Sequence, residues 1–304
     1  MVLSIGNFDG FHIGHQTVIA KAVDRARELG VPAGLMTFDP HPVKLLRPAQ
    51  APRLLTTIEQ RLEVLAPSGL DVVAIVPFTH HVARMQANDF IESVLVERLA
   101  VREVYIGANF RFGADREGDV DLLVEQGRRL GFSAEAWPTV ELDGEVVSST
   151  RVRSAVQRGD VEAAGRLLGR VVFGDGRVMV GKRLGRKLGF PTLNIELENE
   201  LYPAEGVYVT AVYIPSFQRV FPSVTNIGVR PTVYENSGVT VESHLMDFSA
   251  DVYDERVRIF FFRRIRPEKT FGSTLQLMSQ VGRDVEEARM WHLTHPMETL
   301  NLVY

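Results

Sequence analysis

The 304-residue sequence contains no cysteine. That excludes disulfides and cysteine-ligated zinc, and it is compatible with a reducing cytoplasm. No apolar run is long enough to span a bilayer as a helix, and the first residues lack the basic flank of a signal peptide. There is no low-complexity linker and no internal repeat. Neither sign of charge dominates: 34 Lys and Arg stand against 38 Asp and Glu, a net of −4, so no basic surface for nucleic acid is implied. The imbalance lies in one half. Residues 1–168 hold 18 basic and 22 acidic side chains, whereas the remainder holds 16 of each. With 45% hydrophobic and 24% charged residues, the composition is that of an ordinary globular protein, and the length suits two domains. The chain reads as cytoplasmic, bound to neither membrane nor nucleic acid.

What is present is concentrated near the start. The stretch Gly6-Asn7-Phe8-Asp9-Gly10-Phe11-His12-Ile13-Gly14-His15 follows an apolar run, Met1 to Ile5, that reads as a strand. It enters a segment with helical spacing at Val18, Ile19, Ala22, Val23, Ala26 and Leu29, stopped by Gly30. A glycine-rich turn thus feeds a helix N-terminus, where free N–H groups and the positive dipole end favour an anion. The glycines let a phosphate approach the backbone, and His12 and His15 can donate to the same phosphate. A tight turn with two surface histidines would carry the same letters.

Strand and helix signals then alternate. A strand from Ala33 to Phe38 is ended by Asp39-Pro40-His41-Pro42, whose prolines forbid continuation. Thr56-x-x-Glu59 has capping-box form and opens a helix through Ala66. Val72 to Val76 is a continuous apolar strand of the kind buried on both faces. A helix from Asn88 to Leu99, a strand from Glu103 to Gly107, a helix from Asp119 to Leu130 closed by Gly131, and a strand from Ser133 to Trp137 follow. Repeated β-α units imply a parallel sheet covered on both faces, with ligands beyond the carboxyl ends of its strands.

Three more loops fall at such ends. Thr37-Phe38-Asp39-Pro40-His41-Pro42 offers an aromatic, a carboxylate and an imidazole; His41 alone reads as structural. Gly107-Ala108-Asn109-Phe110-Arg111-Phe112-Gly113 offers aromatic surface beside an amide. Ser148-Ser149-Thr150-Arg151-Val152-Arg153 follows an Asp143-Gly144 hairpin turn. Hydroxyls and arginine at a helix start suit phosphate, and equally suit an ordinary cap with solvated arginines.

Together these four motifs resemble the H-x-G-H nucleotidyltransferase superfamily, in the form found in bacterial bifunctional riboflavin kinase/FMN adenylyltransferases (FAD synthetases). His-Ile-Gly-His is also similar to class I aminoacyl-tRNA synthetases, but no Lys-Met-Ser-Lys-Ser-like run accompanies it. The resemblance implies a Rossmann-like α/β domain in which His12 and His15 stabilise charge on an α-phosphate. It implies ATP and phosphate contacts at Gly6, Asn7, Phe8, Asp9, Gly14, Ser149, Thr150 and Arg151, and flavin contacts at Phe38, Asn109 and Phe112.

After a short helix from Asp160 to Leu168 the chain becomes strand-rich, at Arg177 to Val180, Val207 to Ile214, Val220 to Thr225, Thr240 to Leu245 and Val257 to Phe262. Helical periodicity returns only from Ser273 to Leu293. That order suggests a small β-barrel with a C-terminal helix and a boundary near Leu168, giving domains 1–168 and 169–304. The loop Gly181-Lys182-Arg183-Leu184-Gly185-Arg186-Lys187-Leu188-Gly189-Phe190-Pro191-Thr192-Leu193-Asn194 can wrap a polyphosphate. It is not a Walker loop, and on its own it would serve equally as a solvated basic turn or a nucleic-acid contact.

That loop resembles the Gly-x-x-x-Gly-Arg-x-x-Gly-Phe-Pro-Thr-x-Asn motif of riboflavin kinases, and Asn226 to Thr232, Glu242 to Phe248 and Arg266 to Phe271 match the same family. The resemblance implies ATP contacts at Gly181, Gly185 and Arg186, Mg²⁺ held at Thr192 and Asn194, and Glu242 as the base for the ribityl hydroxyl. In the alternating run Val239 to Leu245, Val241, Ser243 and Leu245 share one face and Glu242 the other, as a plain solvent-facing glutamate also would. Three departures are visible: the chain starts on its first strand, Leu193 replaces the usual alanine, and Lys182 with Arg183 make the loop more basic. The expectation is a two-step enzyme, with riboflavin, FMN and ATP as small-molecule substrates. A nucleotidyltransferase for another phosphorylated substrate and an RNA-contacting protein are the other readings.

Overall fold

A computed structural model describes residues 1–181, 189–229 and 238–303. They group into two compact units, Met1–Arg53 with Ile58–Ser149, and Leu54–Thr57 with Thr150–Tyr304. Among the described residues no helix is long and apolar enough to cross a membrane.

The first unit holds a five-stranded sheet of β1 (Val2–Ile5), β2 (Ala33–Asp39), β3 (Val72–Pro77), β4 (Glu103–Gly107) and β5 (Ser133–Trp137). Every pair is parallel, and the order is β3-β2-β1-β4-β5. The chain steps outward from β1 to β3 on one side and resumes at β4 on the other. The crevice beyond β1 and β4 is therefore the switch point where such sheets bind ligands.

The opening helix (Ile13–Leu29) buries Ile19, Ala22, Val23 and Ala26 and ends at Gly30, whose φ of 62° is the left-handed value expected of a helix stop. On the core side Leu3, Ile5, Met36, Val104 and Ile106 meet Phe90, Ile91 and Leu95 of the helical segment Phe90–Arg98, and Leu123 of the helix Val120–Leu130. The helix expected from Asn88 is thus a short turn, Ala87–Asp89, running into a wider π-type winding. β3 corrects the sequence reading more clearly. It is an edge strand with Val72 45% and Ile75 37% exposed, because its hydrophobic run has a neighbour on one side only.

After the hairpin β6 (Glu141–Leu142) and β7 (Glu145–Val146), six strands close a barrel: β8 (Val172–Met179), β9 (Leu193–Leu197), β10 (Gly206–Ile214), β11 (Arg219–Val229), β12 (Val239–Leu245) and β13 (Arg256–Arg266). The ring runs β10-β11-β12-β9-β8-β13, and each of its pairs is antiparallel. β8 starts earlier than its apolar pattern suggests because Gly174 and Gly176 interrupt that pattern. At Gly176 a side chain would meet the Glu196 carbonyl of β9 at 2.4 Å, so only glycine lets the two strands close there. β9 itself is too short and too mixed to be visible in sequence.

In this unit Tyr208, Phe260 and Phe261 are fully buried, and a row of buried hydroxyls runs across the strands. Thr210 bonds to Ser223 (2.8 Å) and Thr225 (2.7 Å), and Thr225 to Ser243 (2.6 Å). The C-terminal helix (Thr274–Thr294) is capped by Ser273, stacks Trp291 on Phe262, and brings His292 Nε2 to the Thr210 carbonyl at 3.0 Å.

The helices Ser149–Gln157 and Val161–Leu168 group with the barrel rather than with the sheet. Val161, Ala164, Leu167 and Leu168 form the buried stripe of the second, which packs on β8 and β13. The change of composition near Leu168 therefore follows the division of contacts, which falls between Ser149 and Thr150.

Candidate active sites

His12 is the N-cap of the opening helix, and its Nδ1 accepts the His15 backbone N–H at 3.3 Å. That bond fixes the His12 proton on Nε2, which becomes the outward donor. The two imidazoles stack at 3.6 Å and 15°, with Phe8 edge-on to His15 at 5.0 Å. Burial first, then His12, then the Arg61 charge hold the His15 pKa well below the usual histidine value, so His15 is neutral. Its Nδ1 is buried with no partner among the described residues. Gly14 permits the pair, since a Cβ there would press on the His12 ring at 3.2 Å.

The loop that carries them is strained. Phe8 (φ 48°) and Phe11 (φ 41°) occupy the left-handed region beside Gly10 (φ 78°), a conformation that persists only where surroundings impose it. The surroundings are specific: Thr37 Oγ1 donates to the Asn7 carbonyl (3.0 Å), Ser149 Oγ to the Asp9 carbonyl (2.9 Å), and Gln16 to the Phe11 carbonyl (2.9 Å). Asp9 is buried, with Arg61 at 4.0 Å. Gly6, Asn7, Phe8, Asp9, Gly14, His12, His15 and Ser149 are therefore one local assembly. Thr150 and Arg151 are the next residues of the Ser149–Gln157 helix and belong to the second unit.

The expected flavin residues separate. Phe38 and Phe112 are both core residues, 9% exposed, against Phe78 and Phe90 respectively. Asn109 is exposed, and Phe110, stacked on Phe112 at 5.9 Å, is the half-exposed ring of that loop. His41 caps the turn Pro42–Leu46 through Nδ1.

In the barrel, register builds the site. Glu242 of β12 pairs with Asn194 of β9 on one side and Asn226 of β11 on the other. The alternation expected for β12 is present: Val241, Ser243 and Leu245 are buried, while Thr240, Glu242 and His244 lie half-buried on the outer face. His244 bonds to the Pro191 carbonyl at 2.8 Å, which ties the following Thr192 to this face. Gly181 abuts the Asn194 amide, where a Cβ would lie 2.2 Å from Nδ2. Gly185, Arg186, Lys182 and Arg183 lie outside the described residues.

The donor set fits Mg²⁺. A hydroxyl, an amide oxygen and a nearby carboxylate are hard oxygen ligands of the kind that Mg²⁺ takes. Mg²⁺ in kinases keeps water and substrate phosphates in most positions, so a sparse set is what it needs.

Two residues without an assigned role join these sites. Glu268 bonds with Asn226, and burial, with Glu205 and Glu242 adding to it, lifts its carboxyl pKa. Arg61 is a nearly buried cation beside Asp9. A motif match brought Glu268 to notice without a function, and nothing in the sequence distinguishes Arg61 from a surface helix arginine.

The family model for FAD synthetase matches residues 1–151, and the model for riboflavin kinase matches residues 168–292. The bifunctional riboflavin kinase/FMN adenylyltransferase of Pseudomonas fluorescens is 41% identical over 95% of this chain and 92% of its own length. That of Escherichia coli K12 is 38% identical over 97% and 94%. A crystal structure described as a macrolide-efflux protein from Streptococcus pneumoniae is similar with a TM-score of 0.84 and 28% identity, over 94% of this chain and 93% of that one. Both catalytic modules are present in order and at nearly full length, and the chain belongs to the bifunctional riboflavin kinase/FMN adenylyltransferase family.

Proposed function

We propose that the barrel phosphorylates riboflavin with ATP to give FMN, and that the α/β domain transfers AMP from a second ATP to FMN, giving FAD and pyrophosphate. We assign the division of labour to residues 1–168 and 169–304. The observation that carries the reading is the co-occurrence, in one chain, of a stacked histidine pair at a helix N-terminus and a Glu-Asn row on a closed barrel.

In adenylyl transfer an FMN phosphate oxygen attacks the α-phosphorus of ATP, and the bond to the β-phosphate oxygen breaks. Charge grows on the α-phosphate oxygens. His12 Nε2–H and the neutral His15 supply donors there, an electrostatic role that needs no covalent intermediate. The helix N-terminus adds its positive end. Gly6, Asn7, Phe8, Asp9 and Gly14 shape the loop, Ser149, Thr150 and Arg151 meet phosphates, and Phe38, Asn109 and Phe112 border the flavin.

In the kinase step the ribityl hydroxyl attacks the γ-phosphorus and ADP leaves. Glu242 accepts the hydroxyl proton. Thr192 and Asn194 would hold Mg²⁺, which offsets phosphate charge when bound. Gly181, Gly185 and Arg186 cradle the nucleotide.

Incubating the purified protein with riboflavin and Mg²⁺–ATP and separating flavins by chromatography tests this directly. FMN should appear first and FAD after it, and FAD should form from supplied FMN without riboflavin. Protein that binds flavin and converts none, or that adenylylates only another phosphorylated compound, would overturn it.

A further inference from the structure

Arg61 takes no part in the chemistry above. It reaches from the helix Ile58–Leu65 to the carboxyl end of β2 and the loop after β1. Its side chain is 4% exposed and that of Asp9 1%. A buried guanidinium is costly unless its donors are matched. These are matched poorly. One terminal nitrogen donates to Thr37 Oγ1 at 3.3 Å, the other lies 4.0 Å from Asp9 Oδ1, and Nε has no acceptor among the described residues. Helix packing alone would be better served by an apolar side chain in this place.

Its surroundings indicate what the charge does. Thr37, which receives the Arg61 bond, itself holds the Asn7 carbonyl, and Asp9 is the centre of the strained Phe8–Phe11 turn. The same loop leads into the stacked imidazoles. We infer that Arg61 is a positioning residue for adenylyl transfer, a buried cation that fixes the phosphate loop through Asp9 and Thr37. The inference rests on the proposal that His12 and His15 serve that transfer.

The groups involved are few. His15 faces the His12 ring, the edge of Phe8, and the Arg61 charge from the neighbouring helix. Burial lowers the Arg61 pKa from the usual guanidinium value, and the charges of Asp9 and Asp39, which Arg61 faces, oppose that shift. A cation at this place opposes protonation of His15, so that ring keeps a lone pair and one N–H. It also anchors the backbone that a phosphate must approach.

The test uses the full-length protein with Arg61→Met, Arg61→Lys, Thr37→Val and His15→Ala, assaying FAD from FMN and FMN from riboflavin separately. Arg61→Met should lower the FAD-forming kcat by about a hundredfold, the scale of a misplaced reacting group, with a smaller change in KM for FMN. Its kinase turnover should be unchanged. The acidic limb of its kcat–pH profile should move to higher pH, because His15 loses a charge that opposes its protonation. Arg61→Lys should restore most of the turnover and the original limb.

Thr37→Val cuts the link to Asn7 but leaves the cation, so it should lower kcat without moving the limb. If Arg61→Met does not fold, the lysine and valine variants decide between the alternatives. Wild-type kcat and profile in Arg61→Met would overturn the inference. So would an Arg61→Lys variant as impaired as the methionine one with its profile unmoved, which would mark a packing role. Should His15→Ala leave FAD formation intact, the underlying site assignment fails. Should it abolish FAD formation while Arg61→Met and Thr37→Val do not lower it, only this inference fails.

Discussion

In the first unit the candidate catalytic groups sit in one loop and the helix turn that follows, so that His12 caps the helix on which His15 stands. In the barrel, Asn194, Glu242 and Asn226 come from three strands and meet only because β9, β12 and β11 pair in one register. The first site is made by local backbone geometry and the second by long-range pairing. A local site tolerates change elsewhere as long as its loop is held. A register site depends on each strand that contributes to it, because a one-residue slip turns every side chain to the opposite face.

Crossed substitutions offer the sharpest way to break this comparison. Glu242→Gln keeps shape and hydrogen bonding but removes the base, and riboflavin phosphorylation should fall about a hundred- to ten-thousandfold. FAD formation from supplied FMN should continue. Conversely, His15→Ala should lower FAD formation about a hundred- to thousandfold, the usual cost of a lost transition-state donor, and spare the kinase. Steady-state assays of both reactions in both variants check the pair. A variant that impairs both reactions equally would mean the sites are not separate.

The two close-approach glycines set a finer test. At Gly181 an alanine Cβ would lie 2.2 Å from the Asn194 amide, which must swing away from its place beside Glu242. At Gly14 the contact is with the His12 ring at 3.2 Å and calls for a shift of a few tenths of an ångström. Gly181→Ala should therefore reduce kinase turnover by about ten- to a hundredfold. Gly14→Ala should reduce FAD formation by less. The reverse order of effects would show that the histidine pair is the more tightly fixed of the two sites.

The smallest effect is on stability. Burial first, then His12 and Arg61, lowers the pKa of His15 in the first unit. Burial also lowers that of His292 in the second, against bonds to the Thr210 and Ser223 backbones. Both groups are neutral when folded and take up a proton more readily when unfolded. The stability they support is thus complete above about pH 6.5 and is lost as pH falls below it toward the folded values. Calorimetry from pH 7.5 down to about pH 5 should show both transitions moving to lower temperature. His292→Asn should flatten the barrel transition alone, and a His292→Asn profile as steep as wild type would sink the assignment for that unit.

Features governed by neighbouring residues were legible in sequence. Asp119, Asp160 and Ser273 cap their helices, and Gly30 and Gly131 end theirs in the left-handed conformation. Asp143 (φ 58°) and Gly144 (φ 76°) make the hairpin turn their pairing suggests. The histidine loop is of the same kind, since a strand, glycines and a helix start already specify a tight turn into a helix N-terminus. Features governed by what lies across the structure were not legible. The apolar run of β3 reads as a central strand but stands at an edge, and the burial of Phe112 against Phe90 is set by a distant helix.

The two-part architecture, the parallel sheet with its histidine loop, the strand-rich second half and, through its ordered motifs, the family are written in the order of the residues. Those follow from spacing, turn chemistry and residue type, which act over a few positions and leave their mark in the letters. Packing across the fold is what sets Glu242 between two asparagines, groups the helices after Ser149 with the barrel, and buries an arginine from a distant helix beside Asp9. Strand register and the burial of a charge depend on contacts between segments far apart in the chain, and the local pattern of an exposed arginine helix is the same as that of a buried one.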